Sequence, residues 1–110
     1  MSKSVNFLSL ASVANATARI YAARKRLLGL DTAMATAWEV LLTVLAHDYG
    51  AGLADIAEEV GLPESITRRW LLVLQDMGFV RAATVVDEVT YRVTPRAREA
   101  VSQIFGELAR

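Results

Sequence analysis

The hydrophobic pattern of this chain changes period at Gly78 and changes back at Thr94. Up to Gly78, apolar residues recur three and four positions apart, the spacing of amphipathic helices. From Phe79 to Val86 and from Val89 to Thr94 the chain turns to β-branched and aromatic residues, with Asp87-Glu88 between the two runs. That is the pattern of a two-stranded hairpin closed by a tight turn. Thr94-Pro95 then supplies a cap and a proline at the first position of a returning helix, about 95–109. The expected fold is mainly α with a small β-hairpin, and 110 residues make it a single domain over 1–110.

The first helix is expected over about 5–28. Phe7, Leu10, Val13, Ala14, Ile20, Tyr21, Arg24, Leu27 and Leu28 share its stripe. Ala11, Ala14, Ala18 and Ala22 favour the helix and let a second helix approach closely. Gly29 ends it. Asp31 reads as the N-cap of a second helix, about 32–48, whose Ala37, Trp38, Leu41, Leu42, Val44 and Leu45 place it at the centre of the core. Tyr49 to Gly52 reads as a loop. A short helix follows from Leu53 to Val60, with Leu53, Ile56, Ala57 and Val60 inward, and Gly61 breaks it. Leu62-Pro63 opens a further helix, about 64–77, which Gly78 terminates.

Charge is balanced but segregated. Twelve Lys and Arg offset twelve Asp and Glu, for a formal net charge of +0. All the charge in residues 1–30 is basic (Lys3, Arg19, Arg24, Lys25, Arg26), and all of it in residues 31–60 is acidic (Asp31, Glu39, Asp48, Asp55, Glu58, Glu59). Neutrality excludes a polycationic tail, not a charged face. With no cysteine there is no disulfide scaffold and no thiol chemistry, and one histidine cannot build a multi-His metal site within a chain. No metal or cofactor is expected. The mean hydropathy of +0.31 points to a surface buried against a partner. Val5 to Val13, followed by Ala14-Asn15-Ala16, has the outline of a leader, but Asn6, Ser9 and Ser12 interrupt it and the helical stripe runs on through it. No apolar run reaches the ~18 residues of a membrane span, so a cytoplasmic protein without a membrane partner is expected.

The order helix, tight Gly-containing turn, helix, hairpin is that of a helix-turn-helix followed by a wing. From Leu53 through Gly61-Leu62-Pro63 and Trp70 to Gly78-Phe79-Val80, the chain resembles bacterial winged helix-turn-helix transcriptional regulators. It is similar to the MarR-like regulators and to the IclR-type DNA-binding domain over roughly 37–108. The resemblance implies a winged core at 31–94 between long terminal helices, 5–30 and 95–110, that pair two protomers. The expected interface residues are Leu10, Val13, Ala14, Ile20, Tyr21, Ile104, Phe105 and Leu108. It also implies an effector site for a small molecule between these helices and the winged core.

Taking Trp70 and Leu74 as core anchors of the second helix-turn-helix helix puts Thr67, Leu71 and Met77 on the same stripe and leaves Ser65, Arg68, Arg69 and Leu72 outward. Ser65, Thr67, Arg68 and Arg69 are the expected contacts to double-stranded DNA, with Arg81 and Arg92 of the hairpin touching flanking backbone. Three features depart from the MarR pattern: an acidic wing tip (Asp87, Glu88), apolar Leu72 and Val73 on the DNA-facing helix, and Glu64 at its flank. They keep two other readings open: a winged-helix adaptor that binds protein, and a dimerisation partner of another regulator. Arg24-Lys25-Arg26 reads as a solubilising helix end, His47 as a capping or surface residue, and Asp55/Glu58/Glu59 as a solvated face. No catalytic residue set is present, so an enzyme is not expected.

Overall fold

The computed structural model describes the backbone of residues 2–30 and 34–106, and within these the side chains from Leu10 onward. Asp31, the expected cap, and Leu108, an expected interface residue, lie outside the described residues. The elements are α1 (Ser2–Leu28), α2 (Ala35–Leu45), α3 (Leu53–Val60), α4 (Glu64–Asp76), β1 (Val80–Val85), β2 (Glu88–Val93) and α5 (Pro95–Gly106). Among the described residues this is the expected order, five helices and one antiparallel hairpin.

α2 is the centre of the molecule. Ala37, Val40, Leu41 and Val44 are wholly buried, and α3, α4 and β2 pack around them. α1 packs on α5, where Ala97, Val101 and Ile104 form the inner face. α2 ends at Leu45, three residues before the expected point. There the His47 N–H turns to the Val44 carbonyl (3.0 Å) and the Gly50 N–H to the His47 carbonyl (3.1 Å), closing successive tight turns. The segment read as a plain loop also holds a bridge: the Ala51 N–H donates to the Tyr91 carbonyl (3.1 Å) and the Tyr91 N–H to the Ala51 carbonyl (2.8 Å). Ala51 therefore extends the hairpin on its β2 edge.

Two glycines set the corners. Gly61, at φ 79°, closes α3 as the Leu62 N–H reaches back to the Ala57 carbonyl (3.1 Å). Gly78, also at φ 79°, closes α4 with the Phe79 N–H on the Leu74 carbonyl (2.8 Å) and its own N–H on that of Gln75 (3.0 Å). These are the bonds of a Schellman motif, which needs a left-handed residue at this position. The hairpin turn falls one residue earlier than expected: Val85 pairs with Glu88, so Val86 and Asp87 form the corner, at φ 49° and 65°. Both signs fit a type I′ turn, whose twist matches the strands. At the other end, the Thr94 hydroxyl donates to the Gly78 carbonyl (2.8 Å) and accepts from the Ala97 N–H (3.3 Å), capping α5 as expected.

Candidate nucleic-acid interface

α4 follows the turn at Gly61 and is anchored by Leu71 and Leu74, both wholly buried. Trp70, expected beside them, is only half-buried and lies at the edge of the core. Thr67 takes its place on the inner stripe and is wholly buried; its hydroxyl and its N–H both donate to the Pro63 carbonyl (3.0 Å each). Thr67 is thus corrected from a DNA contact to a buried pin of the first helical turn. Ser65, Arg68 and Arg69 are exposed as expected, with Glu64, Leu72 and Val73 around them. Neither guanidinium is engaged by another described residue. The N–H groups of Glu64, Ser65 and Ile66 open the helix without intrahelical acceptors, and with the helix dipole they favour a phosphate there.

Residues 37–83 match the model of the IclR helix-turn-helix domain. A MarR-family transcriptional regulator from Rhodococcus sp. RHA1 superposes with a TM-score of 0.66 at 16% identity, over 99% of this chain and 76% of that one. The fold is the MarR-like winged helix-turn-helix. CouR from Rhodococcus jostii RHA1, solved bound to p-coumaroyl-CoA, gives a TM-score of 0.66 at 16% identity, over 98% of this chain and 75% of that one. A candidate DNA-binding protein from Ralstonia eutropha is 29% identical, with a TM-score of 0.53, over 64% of this chain and 94% of that one. No curated protein sequence matches the chain.

Within this winged helix, the wing tip is acidic and apolar: Asp87 and Glu88 stand among exposed Val85, Val86 and Val89. Arg81 and Arg92 lie directly opposite each other in the ladder, on the outer face of the wing. They share a cavity of about 200 Å³ with Asp48 and with Arg98 of α5, a residue that sequence reasoning did not single out. Its signal was available: a second arginine in the first turn of a helix that holds no acid there.

Arg24 was also misread. It is 3% exposed, its Nε–H donates to the Leu30 carbonyl (3.0 Å), and its guanidinium lies 4.8 Å from the Tyr21 ring and 5.8 Å from the Trp38 ring. Its place on the apolar stripe of α1 was the available clue. With Tyr21, Ala35, Trp38, Glu39 and Leu42 it lines a cavity of about 360 Å³ between α1 and α2. His47 pairs with Glu59 through Nε2 (2.9 Å), tying the end of α2 to α3. Of the expected interface residues, Leu10, Val13, Ala14, Tyr21 and Phe105 are exposed and Ile20 is half-buried. Ile104 is corrected: it is wholly buried within the protomer and has no surface left for a partner. Among the described residues there is no cluster of metal-ligating groups, and no helix long and apolar enough to cross a membrane.

Proposed function

We propose that the chain is a sequence-specific DNA-binding transcriptional regulator that acts as a homodimer in the cytoplasm, where its DNA lies. The observation that carries this reading is the outer face of α4. Ser65, Arg68 and Arg69 stand exposed on the second helix of an IclR-type helix-turn-helix, and no described residue neutralises the two arginines. Arginine in the major groove reads guanine bidentately or holds a phosphate, and either contact orients the helix. Arg81 and Arg92 reach toward the flanking backbone from the wing. The acidic tip keeps the wing out of the minor groove by charge repulsion, so affinity rests on α4 and on having two copies of it. Exposed Leu10, Val13, Ala14 and Tyr21 of α1, with Phe105 of α5, supply the pairing surface. The cavity at Arg24 and Trp38 suits a small aromatic or acyl effector. The presence of p-coumaroyl-CoA in CouR, a protein of the same fold, supports such a site.

The test is DNA selection followed by fluorescence anisotropy on the selected duplex. Arg68→Ala with Arg69→Ala is expected to weaken binding at least about a hundredfold, since each lost contact is worth roughly 1–3 kcal/mol. Helicity and association state should not change. Unchanged affinity in the double variant removes α4 as the reading element.

A further inference from the structure

We propose that Arg81, Arg92 and Arg98 form a discrete binding site for a free phosphate group, either inorganic phosphate or a phosphomonoester, at the base of the wing. Three independent features converge there. Arg81 and Arg92 are cross-strand partners in exact register on one face, and like charges directly opposite each other destabilise a hairpin. Arg98 comes from another element, the first turn of α5, which also carries Arg96 and no acid. A cation at that end opposes the helix dipole. The three side chains meet at one cavity of about 200 Å³, closed by Val93, Pro95 and Asp48. None of the three guanidinium groups makes an ion pair or hydrogen bond with a described residue. An arrangement unfavourable in each of its parts and unneutralised as a whole is what an anion would complete.

Charge selects the anion. Three arginines against the Asp48 carboxylate leave a local charge near +2, which matches a dianion and overmatches the single charge of a DNA phosphodiester. A phosphomonoester carries close to two charges at pH 7, with its second pKa about 6. Guanidinium groups suit it further because each presents a fork of donors to two oxygens. The site is separate from the DNA-facing pair on α4, but its Arg81 and Arg92 are the wing residues proposed above to face the flanking backbone, so a bound phosphate competes with DNA only at the wing.

The experiment is a titration of the full chain with inorganic phosphate at constant ionic strength. Binding is followed by the Nε–H resonances of the arginines and by thermal melting, beside a parallel titration with a non-specific duplex. Saturable shifts at Arg81, Arg92 and Arg98 are expected, with a rise in melting temperature that chloride does not reproduce. Arg98→Gln and Arg92→Gln are each expected to weaken phosphate binding about tenfold with unchanged circular dichroism. Binding should weaken on acidification as the phosphate dianion takes up a proton and becomes the monoanion, at a higher pH for inorganic phosphate than for a phosphomonoester. Arg68→Ala with Arg69→Ala should leave the phosphate response intact, which separates failure here from failure of the DNA reading. Resonances that do not saturate with phosphate, or that respond to the duplex alone, overturn the proposal.

Discussion

Arg24 is held inside the protein by three kinds of contact at once. Its methylenes lie along the apolar stripe of α1, its Nε–H closes on the Leu30 carbonyl, and its cationic plane faces Tyr21 and Trp38. Arg24→Ala removes all three and leaves the Leu30 carbonyl without its donor. A loss of about 2–4 kcal/mol is expected in urea denaturation, with Arg24→Lys recovering only part of it because a lysine lacks the planar fork. Val86 is the opposite case. A β-branched residue at φ 49° is strained, and it is 89% exposed, so its side chain gains little in return. Val86→Asn, suited to the first corner position of a type I′ turn, is expected to raise stability by about 1 kcal/mol. A chemical melt in which it is destabilising would mean that the tip makes contacts worth more than the strain. Both residues escaped sequence reading for the same reason: charge and β-propensity are averages, and a particular stack or corner overrides them.

Helix ends were legible where a residue type is required by geometry. Gly61 and Gly78 sit at positive φ, where a Cβ is costly, and Thr94-Pro95 caps α5, so α3, α4 and α5 start or stop where the sequence says. The end of α2 was less legible, because Ala46 to Tyr49 carries no such residue and tertiary bonding decides it. The turn of the hairpin was displaced by one because Asp87-Glu88 looks like a corner by polarity. The ladder instead pairs Glu88 with Val85. The inner face of α4 shows the same limit. Period alone places Thr67, Leu71 and Leu74 inward and Arg68 and Arg69 outward, but only the Pro63 carbonyl explains why a hydroxyl can be buried there. Thr67→Val keeps the volume and loses that bond. It should cost about 1 kcal/mol by thermal melting and leave intrinsic DNA contacts untouched, since the side chain does not reach solvent.

The whole molecule is longer than its residue count requires. A 110-residue domain packed evenly would have a radius of gyration of about 13 Å, and this one measures 15.9 Å with a long axis of 55 Å. The excess is α1, whose 27 residues span about 40 Å and whose outer half carries Leu10 and Val13 in solvent, 69% and 60% exposed. Apolar groups on a projecting helix favour association. Leu10→Asp with Val13→Asp is therefore expected to give a monomer by sedimentation, and to lower DNA affinity without changing the fold of residues 34–106. A stable dimer in that variant would place the pairing surface elsewhere. The central claim, that paired α4 helices hold DNA through arginines, is tested most directly by the salt dependence of binding to the selected duplex. Four arginines, Arg68 and Arg69 from each protomer, should contribute about −4 to the slope of log affinity on log salt, and the Arg68→Ala, Arg69→Ala variant should lose that contribution and keep only what the wing arginines add. A flat slope, or one that the variant does not change, would contradict it.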